Sequence, residues 1–198
     1  MNSASTNEQI TRTSPRSRAR AMGVVYLLFF LTAILAQFLL SHGFPRLGLA
    51  VNLISTALYA AVALLFYFLF KPVNKILSLI AALISLAGCV VTALASVNLV
   101  PSDLNPLAFF GLYCILLGCL VLGSAFLPRA LGVLLVLAGL GWLVFPFLPP
   151  ASHAVPYLEG LGILAEGLLM LWLLFKGVNE QRWREQAAVS QLRSRNQL

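Results

Sequence analysis

Six apolar runs, each about twenty residues long and set apart by prolines or charges, narrow this chain most. They cover 21–41, 47–70, 75–99, 106–127, 130–148 and 155–175. A helix of that length and composition spans the hydrocarbon of a bilayer, and in lipid a helix satisfies its own backbone polar groups. Pro45, Pro72, Pro101, Pro106, Pro128, Pro149, Pro150 and Pro156 all fall between runs or in the first two residues of one, where a missing N–H does least harm. Only Pro146 lies inside a run, near its end, where a kink or fraying is expected. The expected fold is all-α, a polytopic bundle of six transmembrane helices over 21–179. A disordered basic tail is expected over 1–20 and a second tail over 180–198. That leaves no room for a separate soluble domain.

Composition points the same way. Of the 198 residues 60% are hydrophobic and only 10% charged, against about 25% charged in a soluble domain. The net charge of +7 does not suggest nucleic acid, because the basic residues sit in tails and turns, where lipid headgroups would meet them. Arg12, Arg16, Arg18 and Arg20 precede the first run, Lys71 and Lys75 bound the second turn, and Arg129 follows the fourth run. Lys176, Arg182, Arg184, Arg193 and Arg195 follow the last, which puts 12 basic residues on one side and Arg46 alone on the other. The positive-inside rule then places both termini in the cytoplasm, in the plasma membrane or its bacterial inner-membrane equivalent. The first run is longer than a usual signal core and shows no clear cleavage site, so it reads as a retained helix; an organellar transit peptide is the weaker alternative.

Two short motifs recur. Arg20–Val25 reads R-A-M-G-V-V and Arg129–Leu134 reads R-A-L-G-V-L, while Leu69–Asn74 and Leu174–Asn179 read L-F-K-P-V-N and L-F-K-G-V-N. Both pairs frame a helical hairpin, as expected of parallel repeats about an axis along the membrane normal. Aligning Lys71 with Lys176 sets Ala61 opposite Glu166, so an acid belongs to one copy only.

The third run carries a stripe of small, weakly polar residues: Ser78, Ala82, Ser85, Cys89, Thr92 and Ser96. Small residues let helices approach closely, so the third helix is expected at the centre of the bundle. The fourth, with Gly111, Cys114 and Gly118, is expected beside it.

Glu166 is the leading candidate for function. It lies roughly 15 Å from the polar end at Lys176, close to the bilayer midplane. No Lys or Arg lies within any run, so the carboxyl has no cation to pair with and is expected to hold its proton. Residues ten positions in from the same end, Ser85, Gly118 and Gly139, are expected at its level, with Ser85 as a hydrogen-bond donor. Two roles stay open: a proton- or cation-binding group in a solute pathway, or a neutral acid joining helices. Glu159, seven residues earlier and roughly 10 Å further out, is either the mouth of a path to Glu166 or a solvated residue near a helix N-terminus.

Other polar residues point elsewhere. His42, His153 and Asp103 fall in outer turns with no metal-ligand spacing. Gln37, Asn52 and Asn98 suit bonds to neighbouring helices or headgroups, and the tyrosines and tryptophans suit packing and interface anchoring. Cys89, Cys114 and Cys119 lie in apolar runs as small packing residues, without disulfides. With no nucleophile–base pair and no cofactor ligands, neither an enzyme nor a bound cofactor is expected. The remaining readings are a structural or accessory membrane protein, acting through lipid, a second copy or another membrane protein, and a small carrier or channel using Glu166. The C-terminal tail is either a short helix on the inner leaflet or disordered.

Three stretches carry a resemblance. The turn K-P-V-N-K (Lys71–Lys75), F-L-P-R-A-L-G-V-L-L-V-L-A-G-L-G-W-L (Phe126–Leu143) and A-E-G-L-L-M-L-W-L-L-F-K-G-V-N (Ala165–Asn179) resemble the bacterial membrane family known as domain of unknown function 4386. The resemblance implies six membrane helices and no particular activity. Relatives carry a basic residue near the position of Ser85 and a histidine near Tyr113; this chain has neither, so a charge pair between third and sixth helices does not carry over.

Overall fold

The computed structural model describes residues 14–99, 105–148 and 153–195. The first thirteen residues of the expected tail, Pro101, Asp103, Pro149 and Pro150 lie outside them. All regular structure among the described residues is helical: α1 (Pro15–Ser41), α2 (Pro45–Phe70), α3 (Lys75–Ser96), α4 (Pro106–Gly123), α5 (Arg129–Val144), α6 (Ala154–Phe175) and α7 (Glu180–Arg195). A 3-10 turn, Phe145–Phe147, continues α5. Five helices, α1 to α4 and α6, are long and apolar enough to cross a bilayer, while α5 is a shorter apolar helix of 16 residues.

Helix starts follow the local chemistry. Proline occupies the first turn of α1, α2 and α4, where its fixed φ suits the helix and its missing N–H has no partner to lose. Ser14, Asn74 and Asn105 cap α1, α3 and α4 by accepting from the backbone N–H groups of Ser17, Leu77 and Leu107. Because Ser14 and Pro15 form such a start, α1 begins six residues before the expected boundary at 21, and the expected disordered tail gives way to helix there. Pro146 lies in the 3-10 turn, the fraying that its position in the run called for. At the other end of α6, Gly177 takes φ +69 and its N–H bonds the Trp172 carbonyl, a glycine helix stop.

The first six helices form a closed ring. Each packs against its chain neighbours, and α6 packs back on α1. Adjacent helices run antiparallel. Asn52 near the start of α2 bonds Ser96 at the end of α3, and Arg20 near the start of α1 donates to the Phe175 carbonyl at the end of α6. The α4–α5 contact is close along its length. A Cβ on Gly111 would lie 2.8 Å from the Gly139 carbonyl oxygen and one on Gly118 2.7 Å from that of Gly132. Two glycines seven apart on each helix thus let the backbones touch, close enough for Cα–H···O contacts. The glycines expected to pair α4 with α3 face α5 instead.

The third helix is not central. Its small-residue stripe does face inward, with Ser78, Ala81, Ala82, Ser85, Gly88 and Cys89 buried. Its opposite face exposes Ile76, Leu79, Leu83 and Val90, so it is one member of the ring. Small residues let it approach α2 and α4 but do not surround it. At most 39% of any span's most apolar window is buried in the protein, and the remaining surface, rich in Leu, Ile, Val and Phe, suits lipid.

The last helix closes one end of the ring. The Trp183 indole N–H donates to the Leu69 carbonyl at the end of α2, and the Gln186 amide donates to the Gly123 carbonyl at the end of α4. Arg182 donates to the Ala125 carbonyl. Helix C-termini leave carbonyls without intrahelical partners, and α7 supplies donors to them. Arg16 and Arg20 do the same for the carbonyls of Lys176 and Phe175. The described basic residues of α1, α7 and the turns around Lys71 and Lys176 therefore gather at this end, with Arg46 at the other.

Candidate functional site

Glu166 sits inside the ring, 3% exposed. The backbone of α6 aims it inward together with Gly162, Ala165, Leu169 and Leu173, all buried on the same face. Its Oε1 accepts from the Tyr59 hydroxyl of α2 at 3.2 Å and from the Cys114 thiol of α4 at 3.4 Å. One carboxyl oxygen thereby ties three helices together. The Tyr26 hydroxyl of α1 is also buried but makes no hydrogen bond.

Around this pair the interior is aromatic. The Tyr59 ring packs on Phe29 at 4.7 Å between centroids, on Phe110 at 5.6 Å and edge-on to Tyr113 at 6.0 Å. Tyr26 meets Phe66 edge-on at 5.8 Å. These contacts hold the hydroxyl of Tyr59 on target, since its ring has little room to rotate.

A cavity of about 240 Å³ lies on the far side of Tyr59 from Glu166, among α1, α2, α3 and α4. It runs from Pro106 and Leu107, the first residues of α4, inward to Tyr59 and Ser85. Asn52, Ser55, Thr56, Ser85 and Thr92 give it hydroxyl and amide groups, and Phe29 and Phe110 give it aromatic walls. No lining residue is charged. Asn52 and Ser96 bond each other near the outer end, as expected for a polar pair between neighbouring helices. The Ser85 hydroxyl is buried and makes no hydrogen bond.

The structure separates the three residues expected to form one polar site. Glu166 is buried and Ser85 is buried, but they stand on α6 and α3, on opposite sides of a six-membered ring. Ser85 lines the cavity and does not donate to Glu166; Tyr59 stands between them. Position along a helix says nothing about which helices are neighbours. Glu159 is exposed near the start of α6 and joins neither the cavity lining nor the hydrogen bonds of Glu166. The level expected for Gly118 and Gly139 is also displaced. Helix α4 ends at Gly123 and a loop follows to Pro128, so Cys114, four residues deeper, is the α4 residue that reaches Glu166.

Tyr59 and Cys114 are the residues that composition did not single out, because a buried tyrosine or cysteine is ordinarily packing. The only available signal was that Glu166 needed donors, and a phenol and a thiol are donors. His42 stacks on Phe38 and bonds its carbonyl, and His153 is exposed. Among the described residues no group of three His, Cys, Asp or Glu is placed to hold a metal.

No solved structure matches the chain. An uncharacterized protein of Archaeoglobus fulgidus is 33% identical over 122 residues, an alignment that takes in 59% of this chain and 75% of the relative. Residues 103–177 match the family described as Domain of unknown function (DUF4386). That stretch holds α4, α5 and α6, and with them both Cys114 and Glu166. By these matches the chain belongs to the DUF4386 family.

Proposed function

We propose that this chain is a non-enzymatic integral membrane protein of six spans, with both termini cytoplasmic, acting as a small carrier in the plasma membrane. In this reading Glu166 takes up and releases a proton, and the cavity takes a small uncharged solute. The observation that carries it is that one tyrosine belongs to both the cavity and the buried carboxyl. The cavity is lined by Pro106 and Leu107 at the start of α4 and by Tyr59, whose hydroxyl is bonded to Glu166. Ionisable groups at mid-membrane depth serve most often as proton or ion sites. A lining of hydroxyls, one amide and aromatic rings suits a solute that hydrogen-bonds without charge.

Two supports bear on the architecture. The 16 residues of α5 rise about 24 Å and its 3-10 turn adds about 6 Å, which together match a ~30 Å hydrocarbon core. The basic residues gather at the end closed by α7, the asymmetry that the positive-inside rule assigns to the cytoplasm.

The test is proton movement in proteoliposomes under an imposed pH gradient, followed with a pH-sensitive dye. Wild-type protein is expected to dissipate the gradient faster than empty vesicles, and Glu166→Gln, equally folded by circular dichroism, to return it to the empty-vesicle rate. A second reading has its own observation: Tyr59 and Cys114 both donate to one oxygen, so Glu166 could act only as a clamp on α2, α4 and α6. Under that reading Glu166→Gln lowers the melting temperature and wild-type protein moves no protons.

A further inference from the structure

The cavity beside Tyr59 contains one polar group that the fold leaves unserved. Thr56 and Thr92 line it, but each gives its hydroxyl hydrogen to a carbonyl of its own helix, those of Asn52 and Gly88. Asn52 turns its amide to Ser96. Ser85 differs. It is 3% exposed, it lines the cavity, and its buried hydroxyl makes no hydrogen bond. Cys89, one turn further along α3, lines the cavity too, but a thiol is a weak partner. A buried hydroxyl without a partner is costly, so this site lacks one hydrogen-bond acceptor. The walls set what carries that acceptor. Phe29, Leu107 and Phe110 give them an apolar character, and a charge placed there would meet no counterion in the lining. Size sets the rest. A dry cavity of about 150 Å³ takes one benzene ring. On that scale the cavity here, about 240 Å³, suits a compound of roughly nine or ten heavy atoms.

We infer, on the reading of this cavity as a solute site, that it binds a neutral compound of that size with a ring or compact apolar body and one hydrogen-bond acceptor, and that Ser85 donates to the acceptor. The apolar body lies against Phe29 and Phe110, whose rings also hold Tyr59 in place. The acceptor faces α3. Ser85 is then a specificity-determining residue. A solute of the same shape without an acceptor leaves the Ser85 hydroxyl buried and unmatched, and the site discriminates against it. An ion is excluded by the uncharged lining.

The test uses purified full-length protein in detergent and two probes of nearly one shape and the stated size. Acetophenone carries a carbonyl; isopropenylbenzene carries a methylene in its place. Equilibrium dialysis of each radiolabelled probe, with empty micelles as the blank, gives its affinity for wild-type protein and for Ser85→Ala. The ratio of acetophenone affinity to isopropenylbenzene affinity is expected to fall about tenfold from wild type to Ser85→Ala, with an unchanged circular dichroism spectrum. Partition of the probes into micelles cancels in that comparison. Ala33→Phe, which fills the cavity from α1, is expected to abolish saturable binding of both probes. A ratio that is the same in wild type and Ser85→Ala overturns the proposal, since water or a lipid chain then serves the cavity equally well. Absence of saturable binding to wild-type protein overturns it too, as does binding that survives Ala33→Phe. No pH gradient enters the measurement. Ser85-dependent binding by a protein that moves no protons would uphold this site and refute proton uptake by Glu166, and proton movement without that binding would do the reverse.

Discussion

Tyr59 stands between the cavity and Glu166, with its ring fixed by Phe29 and Phe110 and its hydroxyl given to the carboxyl. Tyr59→Phe keeps the ring and removes the donor, so it is expected to lower stability in detergent by about 1–2 kcal/mol and to slow proton movement. Tyr113→Phe is the contrasting case. That hydroxyl is buried and makes no hydrogen bond, so its loss is expected to change stability by no more than about 0.5 kcal/mol. Thermal melts of the two variants side by side check both statements. Glu166 itself was legible in the sequence, because an acid near the middle of an apolar run stands out against its surroundings. Its partners were not. A tyrosine and a cysteine look alike whether they pack or donate, and Ser85 shared the expected depth of Glu166 without sharing its side of the ring.

The boundaries of α2 to α6 were legible to within a few residues, because prolines and charges mark the turns, whereas α1 starts six residues early at Pro15. Helix neighbours were legible only in part: α4 does lie beside α3 as expected, but only close packing shows that its glycines face α5. The α4–α5 contact makes the point: Gly111 and Gly118 meet Gly139 and Gly132, and nothing in α4 alone selects α5 over α3. Gly139→Leu is expected to drive its side chain into the Gly111 carbonyl and Ile115, costing about 3 kcal/mol. Gly167→Leu, at a position open on all sides, is expected to be tolerated. Detergent melts of the two variants check the pair. The polar sequence of α7 hid its role for a different reason. Its partners are backbone carbonyls at the ends of α2 and α4, and backbone carries no sequence signature. Trp183→Phe, which loses the bond to Leu69, is expected to cost about 1 kcal/mol and to raise proteolysis of the C-terminal segment.

At the scale of the whole molecule, the helices form a ring with a basic, capped end and a cavity among α1 to α4 toward the opposite end. The charge asymmetry between its two ends was plain from the sequence; ring closure of α6 on α1 was not, because that contact joins the two most distant spans. Orientation has its own check. A cysteine placed at exposed Phe44 is expected to react with an impermeant maleimide on intact cells, and one at exposed Val189 only after permeabilisation.

The central claim is that water reaches Tyr59 through the cavity. Cys89 lines that cavity, and of the other two cysteines Cys114 is buried and Cys119 exposed. In a Cys119→Ala variant, a small, charged, membrane-impermeant methanethiosulfonate applied from the face opposite α7 should modify Cys89, with the label located by mass spectrometry. Labelling of Cys89 from that face and not from the α7 face is the result predicted. A Cys89 that stays unmodified from both faces, in protein that still labels when unfolded, would mean a dry ring and contradict the carrier.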